Sequence, residues 1–216
     1  MQPTVIAIDG PAGSGKSTLA RALASELGLP YVDTGLMYRA VALRALRKGI
    51  DPNDDEALAA AAAELTFDLD LERRPPELLI DGSSPDAALR SEDVESVVSQ
   101  VARHRAVRSR LRDEQRRLGS SGAVMEGRDI GSVVFPEATL RVVLEAHPEE
   151  RATRRAVERD AKVPDVGEAI ARRDEQDARN VPALEADLVV DTTHLDARGV
   201  LEFVLAATRE RLRTER

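Results

Sequence analysis

Short apolar runs alternate with stretches of helical periodicity along most of the chain. Residues 5–8 form an apolar, β-branched run that ends at Asp9 and Gly10, and leucines then recur at helical spacing between 17 and 27. The same alternation predicts strands at 31–33, 123–125, 140–144 and 188–190, and helices at 37–48, 52–64, 149–159, 166–177 and 196–211. Five short apolar strands with helical crossovers predict a doubly wound α/β fold, in which helices cover both faces of a parallel sheet.

The pattern changes between the second and third of these strands. Residues 66–71 alternate between apolar and polar positions, and an apolar run at 78–80 is followed by Asp81-Gly82, which is a tight-turn signal. We expect this segment to form a small antiparallel sheet inserted into the αβ chain. A long polar helical stretch follows at 91–118, with a break near His104.

Composition limits the classes of protein to which the chain can belong. Apolar residues make up 42% of its 216 residues and aromatic residues only 2%, so we expect a core of Ala, Leu, Val and Ile. The sequence has no cysteine, which excludes disulfides, cysteine-ligated zinc and thiolate catalysis and fits the cytoplasm. No apolar run approaches the ~20 residues of a membrane span, and the N-terminus lacks the features of a signal peptide. We expect a cytoplasmic protein without a membrane partner, and a monomer, because so few aromatic residues offer no obvious interface.

The charged residues bear on the kind of partner. A net charge of −8 does not favour binding to a nucleic acid polymer. Only three of the 31 cationic residues are lysines, and arginine suits bidentate contacts with phosphate, although a GC-rich genome would produce the same bias. The three histidines, His104, His147 and His194, are scattered along the chain, and we interpret them as surface or loop residues.

Residues 10–17 match the phosphate-binding P-loop pattern G-x-x-x-x-G-K-[ST] at every fixed position, between a predicted strand and a predicted helix. Glycines let backbone N–H groups turn towards phosphate oxygens, and the N-terminus of the helix adds partial positive charge. Lys16 is expected to reach the β- and γ-phosphates, and the Ser17 hydroxyl to bind Mg²⁺. The predicted ATP-binding residues are Gly10, Pro11, Ala12, Gly13, Ser14, Gly15, Lys16, Ser17 and Thr18.

The P-loop by itself leaves several reactions open. The sequence has no guanine-reading N-K-x-D segment, and no apolar strand ends in Asp-Glu as a motor domain would require. Arginines do recur after the predicted strands, where ligands bind in a doubly wound sheet. This distribution favours a kinase of small substrates, because phosphoryl transfer requires positioning and positive charge. A slowly hydrolysing nucleotide switch is the alternative from another class.

Three segments carry a resemblance to a known family. Residues 9–17 (DGPAGSGKS), 33–39 (DTGLMYR) and 126–136 (EGRDIGSVVFP) together resemble the bacterial cytidylate kinases. Residues 99–102 and the later Arg173, Asp174 and Asp177 are similar to segments of the same family. The resemblance extends from about residue 4 to residue 212, and the segment 126–136 distinguishes this family from other P-loop kinases. A kinase of shikimate, gluconate or another monophosphate stays an alternative.

The resemblance implies an architecture and a reaction. The family has a five-stranded parallel sheet, a monophosphate-binding insertion that carries a small antiparallel sheet, and a short lid. Within a single P-loop kinase domain, we place the insertion at about 36–105 and the lid at about 148–180. The implied reaction transfers phosphate from ATP to CMP or dCMP with Mg²⁺ as cofactor.

The resemblance also implies roles for residues. Arg39 and Arg128 would hold the acceptor phosphate and, with Lys16 and the lid residue Arg155, form the predicted catalytic set. A solvated helix face is the alternative for the lid arginines. The predicted cytosine readers are Ser99, Arg108 and Asp129, and the predicted ribose contacts are Thr34, Tyr38, Arg173 and Asp177. Asp33 would bind a Mg²⁺-coordinated water beside Ser17. The family usually has an arginine where this chain has Asn180, so either Arg179 takes that role or it is unfilled.

Overall fold

The computed structural model describes residues 3–159, 162–180 and 185–214, and its described strands form one sheet. The strands are β1 (Val5–Asp9), β2 (Tyr31–Asp33), β3 (Phe67–Asp70), β4 (Glu77–Ile80), β5 (Ala123–Gly127), β6 (Leu140–Glu145) and β7 (Leu188–Asp191). Their order across the sheet is β3-β4-β2-β5-β1-β6-β7. The neighbours from β2 to β7 are all parallel, which confirms the predicted five-stranded parallel sheet.

The predicted antiparallel pair is present, but it extends the central sheet and does not stand apart from it. β3 and β4 pair antiparallel from Phe67–Ile80 to Asp70–Glu77. β4 then joins β2 through one parallel residue pair, Tyr31 with Glu77, and the Tyr31 N–H donates to the carbonyl of Pro76 at 2.8 Å. The pattern of apolar and polar residues in a strand indicates which of its faces are buried, but not which strand pairs with it. This junction was therefore not predicted.

Eight α-helices are described around the sheet, and their sequence predictions were accurate except at the ends. They are α1 (Lys16–Leu27), α2 (Thr34–Lys48), α3 (Asp55–Ala63), α4 (Glu92–Arg103), α5 (Arg105–Gly119), α6 (Pro148–Arg159), α7 (Val163–Asn180) and α8 (Ala197–Thr214). α2 begins three residues earlier than predicted because the Asp33 carboxylate accepts a hydrogen bond from the Leu36 N–H at 3.3 Å and caps the helix. Across the described residues, no helix has both the length and the apolar character needed to cross a membrane.

The two faces of the sheet have separate hydrophobic cores, as β1 illustrates. Val5 and Ala7 pack on the face covered by α2, α4 and α5, whereas Ile6 and Ile8 pack on the face covered by α1 and α8. Alternate side chains of a strand point to opposite faces, so a strand that is buried on both faces is apolar at every position. This double burial fixes the strand that leads into the P-loop.

His104 lies in the non-helical break between α4 and α5, which agrees with its interpretation as a loop residue, but it is not at the surface. It is the N-cap residue of α5, and only 7% of it is exposed. Its Nδ1 contacts the Asp55 carboxylate, and its Nε2 lies 2.7 Å from the carbonyl of Pro52. The imidazole therefore attaches the α4–α5 corner to the start of α3. His147 and His194 are exposed, as predicted.

Candidate active site

The P-loop turns away from β1 in a conformation that two glycines permit. Gly10 and Gly13 have φ values of +148° and +76°. A Cβ at Gly10 would lie 2.3 Å from the carbonyl oxygen of Leu144, and a Cβ at Gly13 would lie 2.7 Å from that of Arg151. The first glycine therefore lets the loop pass close to β6, and the second lets helix α6 approach it. The buried Ser14 hydroxyl has no hydrogen-bond partner among the described residues, so it is available to hydrogen-bond a phosphate oxygen.

The predicted ATP-binding residues are divided between two cavities on opposite sides of the P-loop. Ala12, Gly13, Lys16 and Ser17 line a cleft beside the ends of β1, β2 and β5. Ser14, Gly15 and Thr18 line a second cavity, which is bounded by the side chains of Arg154 and Leu195 among others. Gly10 and Pro11 form the first limb of the loop, and the Lys16 ammonium donates to the Pro11 carbonyl at 2.7 Å. The loop thus has an accessible surface on both sides.

Asp9 connects the P-loop strand to the loop that follows β5. Its carboxylate is almost fully buried and accepts hydrogen bonds from the backbone N–H groups of Ile130 at 2.9 Å and Gly131 at 2.7 Å. Burial raises its pKa to about 6, although these two hydrogen bonds act in the opposite direction. The two loops that flank the cleft are therefore joined by a single side chain.

The side chains predicted to hold Mg²⁺, Ser17 and Asp33, lie beside the carboxylate of Glu126, to which the sequence analysis assigned no role. Ser17 donates to Oε2 of Glu126 at 3.0 Å, and the Tyr31 hydroxyl donates to Oε1 of the same carboxylate. Burial, and then the nearby Asp33 carboxylate, raise the pKa of Glu126 well above its usual range. A hydroxyl and two carboxylates that repel each other suit a hard divalent cation. The described residues contain no group of three or more His, Cys, Asp or Glu side chains that could hold a metal ion.

The four predicted catalytic cations all line the cleft. Lys16 lies at its P-loop end, and Arg39, Arg128 and Arg155 lie around it. Arg39 is buried, donates to the carbonyl of Leu89 at 3.1 Å and forms an ion pair with Glu95. Three different elements, α2, the β5 loop and α6, thus bring guanidinium groups to one cleft.

Asp174 connects α7 to the Arg128 loop and, through Arg151, to the P-loop. Arg151 donates to the carbonyl of Ala12 at 3.2 Å and to the Asp174 carboxylate at 2.7 Å. Arg128 lies 3.6 Å from the other oxygen of that carboxylate. Helices α6 and α7 are therefore both in contact with residues that line the cleft.

The predicted base-reading residues line the same cleft as the P-loop residues. Ser99, Arg108 and Asp129 all line it, as do Thr34 and Tyr38. Arg108 donates to Oδ2 of Asp129 at 2.8 Å. Thr34 donates to the backbone carbonyl of Glu126 at 2.7 Å, which leaves its side chain at the junction of α2 and β5. This part of the cleft therefore offers a carboxylate, a guanidinium and hydroxyl groups.

Some predicted residues cannot be placed, and some residues of the cleft were not predicted. The side chains of Arg173, Asp177, Arg179 and Asn180 lie outside the described residues. Arg90 lines the cleft and contacts Asp33 at 3.3 Å, but nothing in its sequence context indicates this. Arg112 contacts Asp129 at 2.7 Å, and its position four residues after Arg108 on one helix was a usable signal.

A parallel core with a P-loop after its central strand, and with arginines at the neighbouring strand ends, is the architecture of a P-loop kinase. A crystal structure of an uncharacterized protein from Eubacterium ventriosum aligns with a TM-score of 0.53 at 10% identity, over 95% of this chain and 98% of that one. At this identity the likeness concerns the fold alone.

The sequence comparisons are more specific. A family model of cytidylate kinase matches residues 6–210. A cytidylate kinase of Pelotomaculum thermopropionicum is 44% identical over 213 residues, which cover 93% of this chain and 94% of the relative. A bifunctional pantoate ligase/cytidylate kinase of a Synechococcus species is 42% identical over 98% of this chain. The chain spans only 46% of that longer relative. The chain belongs to the cytidylate kinase family.

Proposed function

We propose that this chain transfers the γ-phosphoryl group of ATP to CMP or dCMP, giving ADP and CDP or dCDP. The observation that carries the proposal is a single cleft that joins the P-loop cation Lys16 to the Arg108–Asp129 pair. One end has the groups that bind a triphosphate, and the other has a donor and an acceptor that match the edge of a nucleobase. The family membership and the names of the relatives support this acceptor.

The donor side acts mainly through charge and position. The backbone N–H groups of the P-loop hold the triphosphate, and Lys16 neutralises negative charge on its terminal phosphates. Ser17 and, through a bound water, Asp33 hold Mg²⁺, and Glu126 lies beside them. When bound, Mg²⁺ supplies further positive charge to the transferring group. No separate general base is required, because the acceptor phosphate is already ionised at neutral pH.

The acceptor side fixes the nucleophile in line with the donor. Arg39 and Arg128 hold the acceptor phosphate, while Ser99, Arg108 and Asp129 read the base. Thr34 and Tyr38 contact the ribose, and the resemblance adds Arg173 and Asp177 to this set. Tyr38 is suited to neutral hydrogen bonding, because burial and then the Asp129 carboxylate raise the pKa of its hydroxyl to about 12.

The segments 36–105 and 148–180 are the acceptor-binding insertion and the lid of a single kinase domain. Arg151 and Asp174 support the lid assignment, because they connect α6 and α7 to the P-loop. Arg155 then reaches the transferring phosphate from the lid. Closure excludes water, which would otherwise hydrolyse the triphosphate.

The assembly and location of the protein are proposed from composition. An aromatic content of 2% supports a monomer, because aromatic side chains are enriched at the centres of stable interfaces. The absence of cysteine supports a cytoplasmic location.

The test is steady-state ADP formation from ATP and Mg²⁺ with CMP, dCMP, UMP, AMP or GMP as acceptor, and with no acceptor as control. We expect strong stimulation by CMP and dCMP and a low rate without acceptor. Stimulation by another monophosphate would keep the kinase but discard Ser99, Arg108 and Asp129 as cytosine readers. A rate that no acceptor changes would instead support a nucleotide switch or an acceptor of another class.

A further inference from the structure

Arg112 stands out because it contacts the base-reading carboxylate from behind the cleft. Its Nη2 donates to Oδ2 of Asp129 at 2.7 Å, whereas Arg108 donates to the same oxygen at 2.8 Å. Arg108 and Asp129 line the cleft, but Arg112 does not. Arg112 therefore acts on a ligand only through Asp129.

The two arginines are placed by the geometry of one helix. Arg108 and Arg112 are four residues apart on α5, so their side chains project on the same face. The buried Leu111 between them anchors that helix in the core. Arg108 is also fixed by a 3.3 Å hydrogen bond to the carbonyl of Ala102. The two guanidinium groups thus approach Asp129 from a rigid element.

Both contacts fall on one oxygen of Asp129, and this determines what the other oxygen can do. Within the described part of the chain, Oδ1 accepts no hydrogen bond from another residue. The carboxylate is nearly buried, with 7% of the side chain exposed, so its orientation is set by its partners. An ionised carboxylate only accepts hydrogen bonds. Oδ1 is therefore left as an oriented acceptor at the base end of the cleft.

Stability alone does not account for Arg112. Its Nε is buried and has no hydrogen-bond partner among the described residues, which is unfavourable for folding. By contrast, Arg110 on the same helix pairs with Glu114 at its own surface and does not contact Asp129. Substituting Arg110 therefore shows the effect of removing an arginine from α5, whereas substituting Arg112 also removes the contact with Asp129.

We propose that Arg112 is a positioning residue that sets the preference for a 4-amino pyrimidine, because it holds Asp129 so that Oδ1 accepts from the exocyclic amine of cytosine. The inference rests on the proposed function and adds a determinant of its acceptor specificity. Uracil presents a carbonyl oxygen at the same position of the ring. That oxygen would face Oδ1 without a proton between them, which disfavours UMP.

The test compares kcat and KM for CMP and for UMP in the wild type and in Arg112→Met, with Arg110→Met as the matched control. We expect Arg112→Met to raise the KM for CMP and to lower the CMP to UMP ratio of kcat/KM about tenfold, with a smaller change in kcat. Arg110→Met should keep the wild-type ratio. Arg112→Lys, which restores a cation without the planar fork, should recover part of the ratio.

Other outcomes separate this inference from the proposed function. Equal losses for CMP and UMP, or an unchanged ratio in Arg112→Met, would overturn the role of Arg112 while leaving the kinase assignment intact. A wild type that does not use CMP would overturn the proposed function itself. Thermal unfolding of each variant shows whether it is folded. If Arg112→Met is not folded, Arg112→Gln is measured in its place. A lowered CMP to UMP ratio then supports the role of Arg112, and an unchanged ratio overturns it.

Discussion

Asp9 predicts an unusual pH dependence of folding stability, which the Asp9→Asn variant isolates. Because burial raises the pKa of Asp9 from 3.8 to about 6, the native protein holds a proton that the unfolded chain has released between these two pH values. Stability contributed by this group is therefore present at low pH and is lost as the pH rises through 6. This sign is opposite to that of a salt-bridged carboxylate.

The magnitude follows from the two pKa values. Between pH 5.5 and 7.5, the Asp9 contribution to the free energy of unfolding should fall by about 0.8 kcal/mol. The assay is urea unfolding of the wild type and of Asp9→Asn across this range, which stays above the sequence pI of 5.1. The free energy of unfolding of the wild type minus that of Asp9→Asn should decrease as the pH rises. The cost of the hydrogen bond lost in the variant does not depend on pH, so it does not affect this trend.

Asp187→Asn serves as the control for this measurement. Arg141 hydrogen-bonds the Asp187 carboxylate and lowers its pKa below 3.8, so the group is ionised in both states throughout the range. Its difference from the wild type should be independent of pH between 5.5 and 7.5. A wild-type to Asp9→Asn difference that is equally flat would refute the burial argument for Asp9.

Three further variants test the site and the packing around it. Lys16→Ala should lower turnover by roughly 10³–10⁵-fold, and near-normal turnover in a steady-state assay would remove the P-loop assignment. Asp129→Ala should reduce kcat/KM more for CMP than for UMP, and equal losses would exclude Asp129 from base reading. Gly119→Ala should lower the free energy of unfolding by about 1–3 kcal/mol in denaturant titrations, because overpacking is costly. Its Cβ would lie 2.6 Å from the Phe135 ring, whereas Gly167→Ala, with 3.7 Å to the nearest atom, should cause no such loss.

The sheet could be predicted because the chain marks each parallel strand with a continuous apolar run. A strand buried on both faces has no polar alternation, and the residues after such strands belong to the ligand-binding edge. For the same reason the P-loop and the cleft residues Arg39, Arg128 and Asp129 could be nominated from the sequence. Their roles remain predictions, whereas their placement around one cleft is an observation.

The contacts that the sequence did not reveal join residues that are distant along the chain. Arg90 and Asp33 are 57 residues apart, and Arg112 and Asp129 are 17 apart. His104 stands in a long polar stretch, where nothing distinguishes a buried helix cap from a solvated residue. Its partners at Pro52 and Asp55 come from another helix start, and only the packing of α3 against α5 brings them together.

The single residue pair between β2 and β4 has a mechanical consequence. Among the described residues, one ladder pair, Tyr31 with Glu77, joins the β3–β4 hairpin to the parallel core, and Arg21 reinforces this junction through an ion pair with Glu77 and a 4.8 Å contact with the Tyr31 ring. A ladder of several pairs would lock the hairpin to the twist of the core. With one pair, the position of the hairpin depends on its side-chain contacts, because Phe67 and Leu78 are buried in the same core as α2 and Arg117 of α5 donates to the carbonyl of Phe67.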